Sequence, residues 1–130
     1  MIAAAAMAML LSITGKGASA ADLKAAARTL AAGLRSAQTT AMSTRRDATL
    51  TLDVDAREFV FTGGPRSYRL PDGIELKLYT AQTEVESAKK GAIRFYADGS
   101  STGGRVTVGS GERKFLVDVD WLTGRVTITD

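Results

Sequence analysis

The sequence predicts an α+β domain in which one long N-terminal helix lies across an antiparallel sheet of six to eight strands. Three observations carry that prediction. Apolar residues recur at steps of four and three from Leu23 to Ala41, the spacing of one stripe on an α-helix. From Asp47 onward the period falls to two, the spacing of a strand with one buried face. Helix and strands are segregated along the chain, which places the domain in the α+β class. The chain has 130 residues, enough for one domain with a single modest core.

The helix is expected over residues 20–44. Its stripe is Leu23, Ala27, Leu30, Leu34, Ala37 and Ala41, and Lys24, Arg28, Arg35 and Gln38 lie off it. Ser19 and Asp22 are N-cap candidates, and the alanine-rich composition favours helix. Gly33 is out of place in a helix interior unless another element approaches closely. The pattern fades over Met42–Arg45.

The β-rich part spans 47–129. Leu50, Leu52 and Val54 alternate with polar residues, and Phe59 and Phe61 follow a short hairpin connection at 55–57. Ile74, Leu76 and Leu78 come after a turn at 71–73, where Gly73 supplies a positive φ. Ile93 with Phe95, Val106 with Val108, the odd positions Phe115 to Trp121, and Val126 with Ile128 mark the remaining strands. The last of these follows a turn at 122–124. Residues 80–91 are polar and read as a loop. Trp121 shares the parity of the buried residues and reads as packing. The stripe Leu23, Ala27, Leu30 and Leu34 is expected to pack on the face that carries Val117, Val119, Val126 and Ile128.

The sequence contains neither histidine nor cysteine. That removes the commonest general base, the commonest metal ligand, the thiol nucleophile and any disulfide. The glycine-rich stretch "GSSTGG" (99–104) has neither the P-loop nor the dinucleotide spacing, and a strand rather than a helix follows it. Asp98 with Ser100, Ser101 and Thr102 imitates a calcium loop only weakly, since it offers one carboxylate where such loops use several. The expected role of Asp98–Gly104 is an exposed hairpin connection between strands at 93–96 and 105–108. Asp98, Ser100, Ser101 and Thr102 form a candidate interface loop, because loops on a rigid sheet carry recognition. Asp118 and Asp120 share a strand face but have no partner base, so they read as part of a charged wet face. These residue types point away from catalysis, and no cofactor or metal is expected.

Charge is unevenly spread. Residues 1–46 carry six Lys or Arg against Asp22 alone, whereas residues 47–130 carry eleven basic and thirteen acidic side chains. Arg45 and Arg46 suit the negative end of the helix dipole. The basic half favours a solvated helix near an anionic membrane over contact with nucleic acid.

Residues 2–13 ("IAAAAMAMLLSI") form an apolar run with one polar residue, too short to span a bilayer, which takes about 20 residues. Two readings stay open. One is the apolar core of a signal peptide with "ASAA" (18–21) as cleavage site, although no basic residue precedes the run. The other is the back part of a longer membrane helix.

The order of apolar N-terminus, Ala-rich helix and β-rich C-terminal part resembles the type IV pilin-like proteins. The stretches "AADLKAAARTLAAGLRSAQTTAMSTRRDATLTLDVDAREF" (20–59), "IRFYADGSSTGGRVTV" (93–108) and "FLVDVDWLTGRVTI" (115–128) are similar to the GspH/FimT family, the minor pseudopilins H of type II secretion systems. The resemblance covers residues 18–130. It implies residues 1–17 as a partial membrane-helix segment, and 18–130 as a periplasmic pseudopilin domain. The family opens on a basic leader, a Gly at the cleavage point, then Phe and a Glu at the fifth mature position. Phe and Glu are absent here before residue 58, so the sequence is expected to start partway through the membrane segment. The implied function is structural: a single-pass inner-membrane protein with a periplasmic domain, whose partners are other major and minor pseudopilins, assembling near the pseudopilus tip to support export of folded proteins. The alternatives are a type IV pilus minor pilin of the same family with DNA-contacting basic residues, or an exported soluble binding module. Given the absence of His and Cys, chelator treatment is expected to leave the thermal unfolding midpoint unchanged; a drop of several degrees would overturn the metal-free reading.

Overall fold

A helix needs its first amide groups capped, and Ser19 does this. Its hydroxyl accepts from the Asp22 amide at 3.1 Å, while the Asp22 carboxylate accepts from the Ser19 amide at 3.2 Å. This reciprocal capping box starts α1, which runs Ala20–Thr44. Arg45 ends it in the left-handed conformation at φ 56°, its amide donating to the Ala41 carbonyl. The structure is a computed structural model, and it describes residues 17–64 and 66–130. Except for Gly17, the proposed membrane segment 1–17 lies outside the described residues. Among those, no helix is long and apolar enough to cross a membrane.

Among the described residues nine strands follow: β1 (Ala48–Asp53), β2 (Glu58–Phe61), β3 (Tyr68–Arg69), β4 (Glu75–Thr80), β5 (Val85–Ser87), β6 (Lys90–Phe95), β7 (Gly104–Ser110), β8 (Arg113–Val119) and β9 (Val126–Thr129). They form two sheets rather than the single one expected. The first has the order β3-β2-β1-β6-β5 and the second β4-β7-β8-β9, with every pairing antiparallel. Period-two alternation tells which face of a strand is wet, but it is silent on which strands are neighbours. The chain changes sheet three times, from β3 to β4, from β4 to β5 and from β6 to β7, and the last change falls at Gly104. A Cβ there would stand 2.6 Å from the Tyr79 carbonyl, so β7 reaches β4 only because the position is glycine.

The inner face of α1 meets both sheets. Leu23, Ala27, Leu30 and Leu34 are fully buried, and the helix contacts β8 and β9 as well as β1, β2, β6 and β7. Val117, Val119 and Val126 are buried in the same core, and Ile128 packs against it half-buried. Gly33 marks the close approach of the first sheet: a Cβ there would lie 2.9 Å from the Phe59 ring and 3.0 Å from Leu50. Phe59, Phe61 and Tyr68 stack beside it, with centroids 5.3–6.4 Å apart.

Two expectations fail for identifiable reasons. The stretch 80–91 is not simply a loop: Gln82–Glu84 form a 3₁₀ turn, and β5 pairs with the start of β6. An edge strand with both faces wet has no apolar alternation to betray it. The buried-side carboxylate of Glu84 holds this excursion to the sheet through Arg94 at 2.9 Å. Trp121 does not pack in the core. β8 ends at Val119, the chain turns at Asp120, and the Trp121 ring is 65% exposed.

Truncating the helix stripe tests this packing. Leu30→Ala and Leu34→Ala should each lower stability by about 2–5 kcal/mol in urea unfolding. A change below ~0.5 kcal/mol at both would show that the stripe faces something else.

Candidate functional site

The connection between β6 and β7 does more than reverse the chain. It starts as a tight fold-back: the Tyr96 amide donates to the Ser100 carbonyl, the Gly99 amide to the Tyr96 carbonyl, and Phe95 bridges to Ser101. It then leaves the first sheet for the second. The hairpin expected here is therefore a crossover between sheets, and it is only partly exposed. Asp98 is exposed, Ser100 and Thr102 are half-buried, and Gly99, Ser101 and Gly103 are buried.

Ser101 is the only buried polar side chain of the core among the described residues, at 4% exposure. Its hydroxyl donates to the Arg94 carbonyl at 2.7 Å and accepts from the Gly103 amide at 2.9 Å, while its own amide donates to the Trp121 carbonyl. Its hydroxyl and its amide are thus both engaged inside the fold. Thr102 is likewise tied inward, its hydroxyl accepting from the Arg94 amide at 3.0 Å. Of the four residues of the candidate interface loop, Asp98 and Ser100 present polar atoms outward, whereas Ser101 and Thr102 are structural.

Gln38, read from the sequence only as a residue off the apolar stripe, turns out to join three elements. Its side-chain amide donates to the Gly99 carbonyl at 2.9 Å and to the Thr123 carbonyl at 3.2 Å. One turn of α1 thereby fixes both the 96–103 connection and the turn before β9. A Cβ at Gly124 would collide with the Gly99 carbonyl, so the two loops touch backbone to backbone. Arg35 adds a bond from its guanidinium to the Val126 carbonyl at 3.0 Å. A long polar side chain aimed at two carbonyls distant in sequence leaves no periodic signal, which is why the sequence did not mark Gln38.

The carboxylates here serve the fold locally. Asp98 accepts from the Ser100 hydroxyl at 2.6 Å and from its amide at 3.0 Å, and these bonds hold its pKa below the ordinary 3.8. Asp120 accepts from the Thr123 hydroxyl at 2.7 Å, which lowers its pKa in the same way. Asp118 pairs across strands with Arg105 at 2.6 Å, a contact that raises the arginine further. Asp118 and Asp120 are therefore separately engaged, as the reading of a charged wet face expects. Among the described residues no cluster of three or more carboxylates stands close enough to hold a metal ion.

The surface itself is shallow. A cleft of about 560 Å³ separates β4 from β5 and the start of β6, lined by Leu76, Leu78, Val85 and Lys89. Its walls hold no converging set of reactive groups. The outward side of α1 is of another kind: Ala25, Thr29, Ala32, Ser36, Thr39 and Ser43 follow one another at steps of four and three, all exposed and all small. The Thr29 hydroxyl donates to the Ala25 carbonyl at 2.9 Å, so it needs no water.

Ser101→Val should lower stability by about 1–3 kcal/mol, because the Arg94 carbonyl and the Gly103 amide lose their buried partner. Ser100→Ala should cost visibly less in the same thermal unfolding assay. Ionised Asp98 stabilises the fold fully above pH 3.8, and this contribution is lost as pH falls through its lowered pKa. Asp98→Asn should therefore flatten the acid limb of the stability curve; an unchanged limb would refute the assignment.

Residues 26–124 match the family described as Type II transport protein GspH. The Type II secretion system protein H of Xanthomonas campestris pv. campestris is 36% identical over 105 residues, which make up 80% of this chain and 61% of that protein. The match thus spans less than two thirds of the curated relative's length. Among solved structures, the minor pseudopilin EpsH of Vibrio cholerae superimposes with a TM-score of 0.66 at 13% identity, covering 83% of this chain and 96% of that one. The type IV minor pilin FimU of Pseudomonas aeruginosa gives 0.64 at 16% identity, with 83% and 88% covered. At such identities the two structures speak for the fold, which is pilin-like: one N-terminal helix on antiparallel sheets. With three quarters of its length matched to the family, the chain belongs to the GspH family of type II transport proteins.

Proposed function

We propose that this chain acts as a structural minor pseudopilin of a type II secretion system, assembling with other pseudopilins near the pseudopilus tip to support export of folded proteins. It performs no catalysis in this role. The observation that carries the reading is the outward face of α1. A 25-residue helix buries one side in its own core and offers, on the other, an unbroken row of small side chains. Small side chains let a second helix approach closely, and the hydroxyls of Thr29 and Ser43 already donate to carbonyls of their own helix. Lys24 and Arg28 flank this row and are exposed, whereas Arg35 folds back to the Val126 carbonyl. The apolar run 2–13, just ahead of α1 in sequence, supports an inner-membrane anchor with residues 18–130 in the periplasm.

The likeness to EpsH and FimU concerns the fold and does not separate secretion from pilus assembly. The 36% identity to a secretion protein H favours secretion. Ala32→Trp tests the reading in the full chain. Because Ala32 is exposed, the unfolding midpoint should stay within about a degree, since surface changes rarely exceed ~0.5 kcal/mol. Secretion and cross-linking to other pseudopilins should be lost. Normal secretion by a correctly folded A32W protein would refute assembly through this face.

A further inference from the structure

Residues 81–89, the excursion that carries the 3₁₀ turn Gln82–Glu84 and β5, are fastened at both ends and lightly held between. At one end the Thr80 hydroxyl donates to the Ala92 carbonyl at 2.5 Å. At the other the Val54 amide donates to the Lys89 carbonyl at 2.9 Å. Between them β5 meets β6 at the pairs Val85–Gly91 and Ser87–Lys90, and the register breaks between the two. Gln82, Thr83 and every residue from Val85 to Lys89 are exposed, so the excursion adds little to the core.

One side chain anchors its middle. The Glu84 side chain is 8% exposed, and its carboxylate accepts from the Arg94 guanidinium at 2.9 Å and from the Thr83 hydroxyl at 3.0 Å. Breaking a buried ion pair is costly where it leaves a charge without a partner. Here it leaves none. Arg94 also faces Asp47 at 3.5 Å and keeps that partner when Glu84 departs, while Glu84 passes into water. Val85 is already 46% exposed, so the excursion itself gives up little apolar contact on leaving.

What it covers is apolar. Ala92 and Arg94 lie on the same face of β6, and Ala92 is 6% exposed although it stands outside the core cluster. The 3₁₀ turn lies against this strand, and the Glu84 carbonyl comes within 3.4 Å of where a Cβ of Gly91 would stand. Val85 and Ser87 also wall the cleft in which Leu76 and Leu78 of β4 are half-buried.

We infer that residues 81–89 form a strap that opens as a unit, hinged at Thr80 and Lys89 and latched by Glu84 on Arg94, and so governs access to the cleft between β4 and β6. The open state keeps both sheets, since β6 stays paired with β1 along its whole length. It uncovers Ala92 and widens the way to Leu76 and Leu78.

The chain lacks cysteine, so a single thiol reports opening. In the full chain, A92C sits under the strap, and V117C, at a fully buried position of β8, reports opening of the whole domain. Each reacts with a small aromatic disulfide under native conditions, its rate taken relative to the same variant unfolded in urea. A92C should react at least ~10-fold faster than V117C. E84Q should speed A92C a further ~5-fold, because a neutral amide bonds arginine more weakly, and should leave V117C unchanged. R94Q should speed A92C more than E84Q does, because it leaves the Glu84 carboxylate buried without its guanidinium. Adding E84Q to R94Q should then slow A92C again. Equal rates at A92C and V117C would show that the strap opens only with the domain. An E84Q effect equal at both positions would make Glu84 a general stabiliser, and an unchanged A92C would mean that it latches nothing. Each of these overturns the proposal, as does a double variant faster than R94Q.

Discussion

Burial of one helix face by two sheets at once is the constraint on which the rest of the structure depends. Neither sheet closes on itself, and neither has an apolar face of its own that could survive in water. Leu23, Leu30 and Leu34 supply the shared interior, and Gly33 lets the first sheet come close enough to use it. The helix in turn draws most of its stability from this packing, because helicity in a single segment is marginal without tertiary support. Small side chains on the helix are thus used twice. Ala27, Ala31, Ala37 and Ala41 admit the sheets on the inner side, and Ala25 and Ala32 leave the outer side flat.

The C-terminal half of α1 adds a second level of order. There the core gives way to hydrogen bonds, with Arg35 reaching Val126 and Gln38 reaching Gly99 and Thr123. These bonds join the crossover between the sheets to the last turn of the chain. Ser101 completes the joint from within, and Asp98 and Asp120 shape their turns from outside. Loops bound this tightly behave as part of the scaffold. Folding uses the inner face of α1 and leaves the small side chains of its outer face exposed.

What the sequence determined by itself was local and periodic. The capping pair Ser19 and Asp22, the stripe Leu23–Ala27–Leu30–Leu34, the end of the helix near Arg45 and the alternation of most strands follow from nearest-neighbour chemistry, and each is found where the pattern puts it. The absence of His and Cys excluded whole classes of chemistry without any geometry. Tertiary structure alone decided the partition of the strands into two sheets, the burial of Ser101, the exposure of Trp121 and the bridging role of Gln38. Periodicity fixes how a side chain points relative to its own strand, and carries nothing about which distant strand lies beside it. Trp121 kept the parity of a core residue, yet the chain had already left the pleat at Asp120. Ser101 has the composition of a loop, yet a carbonyl of β6 and an amide of the crossover converge on its hydroxyl. Both outcomes depend on backbone segments that only meet once the helix has gathered the two sheets around it.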